Sequence, residues 1–448
     1  MKTIVFIGTN KSGSSYDAIK AAENMCYYTV LLTNREAFED KRTEFSYVHL
    51  IKICDIDNID EIRDVIDSLI EGYLDIHAIV SFIDPYCYTA SLLARELNLK
   101  YFSSEAILTM LDKIKSREIL DGSPYVPFFY KINGCDPFMK KTVEEKLPLV
   151  LKIPASAGSK DVYKVENYWQ YKRTVSEIRR HCPNEPVLAE EYLEGPQYLV
   201  ETVTVNHKVN IIAIIEQEIT FTGRFIVTGY KMILEHENEF YQSLKEAVNF
   251  IVSEHGMKDG PCHLEIRYVN NEWKLIEANP RISGGAMNSF IETAYGINLV
   301  KETLNFALGG EPDFECKYKK ETFLQYVIVP KEGVLIKVTG KNSALNCTGV
   351  EQVYIKPKKG SVIIPPISMA YRYAYVIATG ETAGEAIENA RYGASRIKFH
   401  LREIDARVFS QLNISEQKLL NLSDKNKMHF TQIDDFFNNF ILYNQEDI

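Results

Sequence analysis

Residues 263–285 read HLEIRYVNNEWKLIEANPRISGG, and the fold turns on whether their carboxylates form a cluster or the solvated face of an ordinary hairpin. Apolar residues flank Asn270-Asn271 on both sides, and an Asn pair between two apolar runs is a tight-turn signal, so a β-hairpin is predicted. Side chains at i and i+2 of a strand share a face, which sets Glu277 beside Asn279, with Glu265 near Glu277 on the opposite strand. Like carboxylates side by side in a half-buried sheet repel unless a cation lies with them. Two carboxylates and an amide oxygen are hard ligands that suit Mg²⁺, which keeps several waters and takes its other ligands from phosphates. Arg281 follows, a fixed cation whose planar fork fits phosphate or carboxylate oxygens. Ser283-Gly284-Gly285 then lets backbone approach a ligand closely.

The chain around this stretch has 448 residues, too many for one ordinary core, so two or three domains are expected. Hydrophobic residues at 46% and charged residues at 25% are globular values, which excludes a disordered chain. A net charge of −10 disfavours nucleic acid and anionic membranes as partners, because both repel it. The eight cysteines are scattered with no C-x-x-C pair, which argues against zinc and for free thiols in a reducing compartment. The N-terminus lacks the apolar core and cleavage site of a signal peptide, and no run approaches the roughly 20 apolar residues of a membrane helix. A cytoplasmic protein is expected.

Strand-like TIVFIG (3–8), an amphipathic run (16–26), YTVLLT (28–33), a helical run (59–70), HAIVSF (77–82) and another helical run (88–97) alternate, which implies a parallel sheet covered on both faces. The turn after the first strand holds Gly8 and Gly13 but no G-x-G-x-x-G, so a dinucleotide fingerprint is absent. From about residue 111 the strands cluster in antiparallel fashion (147–154, 198–219 and the hairpin), with helices at 166–180 and 239–255. From about residue 310 a third region holds TFLQYVIVP, YAYVIATG and a helix from 382 to about 400 that opens on a Thr382/Glu385 capping-box spacing. The tail from about 420 has no reading beyond polar with an aromatic cluster. The expected division is therefore 1–110, a parallel α/β domain; 111–310, a central domain with parts 111–195 and 196–310; and 311–448, a C-terminal lobe.

E-A-N-P-R preceded by H-L-E closely resembles the metal-binding end of the ATP-grasp superfamily. The resemblance implies an ATP-grasp fold of mixed α/β and α+β class, with a Rossmann-like N-terminal domain and a C-terminal lobe. It makes Glu265, Glu277 and Asn279 the Mg²⁺ ligands, for two ions with Mn²⁺ as an alternative, and Arg281 the catalytic cation. Further motifs resemble the family's in order. Lys113 (LDKIKSRE) and Lys152 (PLVLKIP) are similar to its two ATP-binding lysines, and PASAGSKD (154–161), with Ser159 and Lys160, to the loop that closes over the phosphates. VLAEEYLEGPQY (187–198) resembles the adenine hinge, with Glu190, Tyr192, Leu193 and Gln197 as ATP contacts; Gln197 stands where many members have a ribose-binding Glu. Members that join free amino acids often carry E-x-G-H upstream; here the stretch is Val227-Thr228-Gly229-Tyr230, with Tyr230 in a substrate position.

The overall pattern, with R-x-S-G-G and ATGET (378–382), is most similar to bacterial L-amino acid ligases. That resemblance implies an enzyme that forms an aminoacyl phosphate from ATP and an amino acid, then a dipeptide, ADP and phosphate. Another ATP-grasp ligase or carboxylase of purine-pathway type is the alternative, and a non-catalytic nucleotide sensor the more remote one. The loop SFIDPYCY (81–88) ends a parallel strand, where such sheets place ligands, so Asp84 and Pro85 are expected to face the substrate. Ser156, Gly284 and Gly285 are expected to line the amino-acid pocket. His207, His236 and His263 read as surface or packing histidines, because the attacking amine can lose its proton to phosphate or water. The expected partners are ATP and amino acids, with a homodimer as the assembly.

Overall fold

The structure, a computed structural model, describes residues 1–40, 42–132, 140–154, 162–221, 225–234 and 238–405. The chain divides into two compact units, Met1–Pro127 with Leu193–Ile214 and Glu235–Lys319, and Phe128–Tyr192 with Ile215–Leu234 and Lys320–Ile448.

The first unit opens with a parallel sheet in the order Leu50–Ile53, Tyr28–Thr33, Lys2–Ile7, Asp75–Val80. Its strands are unbroken apolar runs because both faces are covered: Ile4, Val5, Phe6 and Ile7 are at most 1% exposed. The helices Ser14–Asn24, Ile59–Glu71 and Tyr86–Glu96 supply the cover. Ile59–Glu71 starts where Asn58 accepts from the amides of Asp60 and Glu61, and it buries Ile62, Ile66 and Leu69 against the sheet. The alternation expected from residues 3–97 is therefore the observed fold, with the turns after Ile7 and Val80 at the carboxyl ends of their strands.

The same unit contains the hairpin, Gly260–Val269 with Glu272–Asn279, flanked by Gln197–Val205 on the other side of its first strand. Asn270 and Asn271 sit at φ 51° and 65°, the left-handed pair that a primed two-residue turn requires. From that turn a regular ladder would oppose Glu265 to Ile276 and send Glu277 to the other face. A bulge intervenes between Glu265 and Ile266, so Ile266 pairs with Leu275 while Glu265 pairs with Glu277 and His263 with Asn279. Ile276 is the extra residue, and its carbonyl accepts from Nη2 of Arg117. Arg117 is 1% exposed and lies on the short helix Lys113–Ile119. One turn earlier on that helix Lys113 reaches Glu277 at 2.9 Å. The bulge is thus gripped twice from a single helix.

In the second unit an antiparallel sheet runs Phe129–Ile132, Val187–Glu191, Leu149–Lys152, Val162–Val165, and the helix Tyr168–His181 packs Tyr171, Val175 and Ile178 on it. A further antiparallel set, Phe225–Ile233, Glu321–Val327, Ala374–Gly380 and Val350–Ile355, is covered by Ala383–Ser395. That helix starts as predicted, with Thr382 accepting from the Glu385 amide at 3.2 Å. It ends earlier than predicted: Lys398–Arg402 is a strand paired with Gly333–Thr339. Phe399 and Leu401 alternate at period two and pack with Leu335 and Tyr373, which a helix could not achieve. Among the described residues no helix is long and apolar enough to cross a membrane.

Replacing Arg117 by Met deletes a buried donor and leaves the Ile276 carbonyl short of its partner. The expected loss is about 1–3 kcal/mol, seen as a lowered urea midpoint, and a wild-type midpoint contradicts the assignment.

Candidate active site

On the first unit the hairpin and its neighbour present two parallel polar rows to one face. Leu199, Glu265 and Glu277 form one row, and Glu201, His263 and Asn279 form the next, two residues along each strand. The carboxylates of Glu265 and Glu277 sit at paired positions, and each has a compensating neighbour. Lys113 Nζ lies 2.9 Å from Glu277 Oε1, and Gln197 Nε2 donates to Glu265 Oε2 at 3.2 Å. Arg267 in turn donates to Gln197 Oε1 at 3.0 Å and to the Leu193 carbonyl, so the expected ATP-contacting positions 193 and 197 are tied to the row that holds Glu265.

The donor set fits Mg²⁺. Like charges brought to adjacent positions by a bulge, with an amide oxygen one row on, form an incomplete oxygen shell of the kind Mg²⁺ completes with water and phosphate. Among the described residues no group of three or more His, Cys, Asp and Glu stands where it could hold a metal ion by itself.

Arg281 lies beyond the strand end, and its Nε donates to Asp84 Oδ2 at 2.7 Å, with Nη2 on the same oxygen. Burial opposes the charge on Arg281, but the acidic groups around it, Asp84 foremost with Cys87 and Glu201, together outweigh it and raise the guanidinium pKa. The two positions read separately from the sequence, one catalytic and one substrate-facing, are therefore one ion pair. Asp84 Oδ1 is shielded from solvent and finds no hydrogen-bond partner among the described residues. Pro85, next to it, is exposed. Beside Arg281, Cys87 and Pro280 lies a cavity of about 20 Å³, room for a water rather than an amino acid.

The segment after Asn279 is held by groups the sequence reading did not assign. Glu201, 0% exposed, accepts from the Ser283 amide at 3.0 Å and from the Ser283 hydroxyl. His263 Nδ1 meets the Arg281 carbonyl at 2.9 Å, and Ser14 donates to the Ser283 carbonyl at 2.6 Å. Burial, with Arg281 nearby, pushes His263 down to about 4, so it is neutral and donates from Nδ1. His263 is buried, as a packing histidine would be, while His207 lies exposed in a turn and His236 falls outside the described residues. Burial likewise pushes Glu201 up to about 8, against the opposing pull of the Ser283 amide and Arg281. The available signal for Glu201 was its period-two spacing from Gln197 and its place as a lone acid in YLVETVTV. A Cβ on Gly284 would meet nothing within 4 Å. Gly285 has φ 66°, and a Cβ on Gly13 would stand 2.8–3.0 Å from its backbone.

On the second unit Lys152 and Glu190 form an ion pair at 2.5 Å, each side chain 7% exposed. Tyr192 stacks with Phe225 and carries Lys164 at 4.3 Å from its ring centre. Tyr230 is buried, and its hydroxyl accepts from Arg372 at 3.2 Å. Ser156, Ser159 and Lys160 lie outside the described residues. The expected site residues thus assemble within each unit as Lys113, Gln197, Glu265, Glu277, Asn279, Arg281 and Asp84 on one, and Lys152 with Glu190 on the other.

Residues 145–289 match the family model of the ATP-grasp domain, and residues 325–402 match L-amino acid ligase C-terminal domain 2. The chain is 21% identical over 297 residues to the L-arginine-specific L-amino acid ligase of Bacillus subtilis, covering 64% of this chain and 70% of that protein. Among solved structures, the L-amino acid ligase from Bacillus licheniformis superposes with a TM-score of 0.77 at 18% identity, over 90% of this chain and 99% of that one. Phosphoribosylglycinamide synthetase from Anaerococcus prevotii reaches 0.71 at 16% identity, over 90% and 100%.

The raised Glu201 carboxyl makes stability fall with pH. The native state keeps a proton that the unfolded chain releases, so stability is lost from about the ordinary 4.5 up to about 8 and is flat above. Burial sets this range, opposed by the Ser283 amide and by Arg281. Glu201→Gln should remove a slope of at most about 1.4 kcal/mol per pH unit, read from urea midpoints across that window; an unaltered slope contradicts it.

Proposed function

From a chain that carries an ATP-grasp domain on an ATP-grasp fold, we propose that the protein is an ATP-dependent L-amino acid ligase. It transfers the γ-phosphoryl group of ATP to the carboxylate of one amino acid. The amine of a second displaces phosphate from the acyl phosphate, giving a dipeptide, ADP and phosphate. The observation that carries this reading is the Arg281–Asp84 pair, just beyond the end of the strand that carries Glu277 and Asn279. The match of residues 325–402 to an L-amino acid ligase C-terminal domain supports it over a carboxylase or purine-pathway ligase.

The proposed roles follow from chemistry. Glu265, Glu277 and Asn279 hold Mg²⁺, which when bound supplies charge neutralisation at the phosphate oxygens. Arg281 stabilises the migrating phosphoryl group, whose transition state spreads charge over its equatorial oxygens. Lys113, Lys152, Ser159, Lys160, Glu190, Tyr192, Leu193 and Gln197 bind ATP, with the Lys152–Glu190 and Lys113–Glu277 pairs holding the lysines ready. Asp84 does two things: Oδ2 aims Arg281, and Oδ1 receives the ammonium of the activated amino acid. An ammonium there satisfies a buried acceptor and supplies the contact that Val227 and Tyr230 lack. Pro85, Ser156, Tyr230, Gly284 and Gly285 shape the amino-acid pocket. A second Mg²⁺, Mn²⁺ as a substitute, a homodimer and a cytoplasmic location belong to the same proposal.

Phosphate release from ATP, measured across amino acids singly and in pairs with mass analysis of products, tests the reaction. Dipeptides and ADP are expected; turnover only with bicarbonate or purine-pathway acceptors sinks the reading in favour of the alternative. Arg281→Ala and Glu277→Ala should each lower turnover by at least about 100-fold while ATP binding survives in part, and full turnover in either refutes the roles. Asp84→Asn should raise the KM of the first amino acid at least about tenfold and reorder the preferred substrates. An unchanged ranking rejects Asp84 as the ammonium contact.

A further inference from the structure

We propose that Glu201 and His263 are positioning residues that fix the backbone of Arg281–Ser283 and so aim the Arg281 guanidinium. The inference rests on the ligase reading for what Arg281 does, and on geometry alone for how Arg281 is held.

The strand ends at Asn279, and the residues after it have no ladder to satisfy their backbone. Ile282 and Ser283 are nevertheless 1% and 4% exposed, so each polar group there needs a partner inside the protein. Side chains supply them. His263 takes the Arg281 carbonyl, Glu201 the Ser283 amide and hydroxyl, and Ser14 the Ser283 carbonyl. Arg281 closes the set by donating Nη1 to its own neighbour, the Ile282 carbonyl, at 3.1 Å. Glu201 and His263 are directly paired in the sheet, so the two grips come from one rigid site.

A carboxylate buried at 0% exposure is unfavourable in itself, and the upward push on its pKa is the sign of that cost. An apolar residue would fill the position more stably but could not accept from the Ser283 amide. The clamp row also lies next to the Glu265/Glu277 row on the same face. Fixing Arg281 to it therefore fixes the arginine relative to the carboxylates proposed to hold Mg²⁺. A displacement near 1 Å of such a group costs on the order of 100-fold in rate, which is the scale of effect expected.

The experiment compares Glu201→Met, Glu201→Gln, His263→Leu and His263→Asn, in the full chain, by amino-acid-dependent phosphate release. Met and Leu should lower kcat about 30- to 300-fold with the KM for ATP unchanged within about twofold. Gln and Asn, whose amides restore an acceptor for Ser283 and a donor for the Arg281 carbonyl, should recover kcat to within about tenfold of wild type. Folded Met and Leu variants with wild-type kcat overturn the proposal, as do variants whose whole loss lies in the KM for ATP. Should Glu201→Met and His263→Leu not fold, Ser14→Ala and Ser283→Ala decide, since each removes one hydroxyl of the clamp. A lowered kcat at constant KM for ATP in Ser283→Ala supports the clamp, and wild-type kcat in both overturns it. If the wild-type chain releases no phosphate with any amino acid, the ligase reading has failed separately. The clamp is then read from the backbone amide of residue 283, which should exchange hydrogen at least about tenfold faster in Ser283→Ala and in any folded Glu201→Met; unchanged exchange overturns it.

Discussion

One inserted residue, Ile276, decides what the hairpin can do. A regular ladder from the Asn270-Asn271 turn would send Glu265 and Glu277 to opposite faces, with Glu277 on the face where Leu264, Ile266 and Leu275 are buried. The bulge shifts the register by one and sets the carboxylates side by side, where they repel. Such an arrangement persists only with compensation, and the first unit provides it from the helix Lys113–Ile119 and from Gln197. Repulsion between two carboxylates is thus balanced by one ammonium and one amide, while a buried guanidinium holds the bulge that brings them together.

The same constraint reaches Arg281. Because the bulge re-registers the second strand, Asn279 falls opposite His263, and the chain leaves the sheet beside Glu201. The polypeptide beyond is irregular and buried, and its backbone groups are satisfied by side chains rather than by a ladder. Irregular backbone held in this way is stiff, since every departure leaves a buried donor or acceptor unpaired. Arg281 is aimed from behind by that backbone and from in front by Asp84.

The two units show the same economy in their ion pairs. Lys152 with Glu190, Lys113 with Glu277 and Arg281 with Asp84 each join groups that the sequence motifs assign to ligands. Partly buried charges without partners are costly, so each of these groups is neutralised by its partner within its own unit.

The parallel sheet was legible in residues 3–97 because a strand buried on both faces and a helix covering it have different apolar periods. The turn at Asn270-Asn271 was legible because few side chains accept left-handed backbone. Glu277, Asn279 and Arg281 could be placed together because i and i+2 share a face in any strand. The sequence put Glu265 near Glu277 across the turn, but the exact register that pairs them was a matter of tertiary structure, since a bulge at Ile276 leaves no trace in an alternating apolar pattern and is held by an arginine some 160 positions away. The Asp84–Arg281 bond likewise joins positions 197 apart in the chain. The helix boundary at Ser395 belonged to the tertiary level too, where packing of Phe399 and Leu401 overrode local helical tendency. Glu201 shows the division most plainly. Its residue type is unremarkable in a strand, and its isolation from water, its raised pKa and its hold on Ser283 exist only once the chain has folded over it. Local sequence fixes periodicity, turns and same-face neighbours because these follow from backbone geometry. Register, burial and the partner of each charge are set by contacts between distant segments, and no local pattern encodes them.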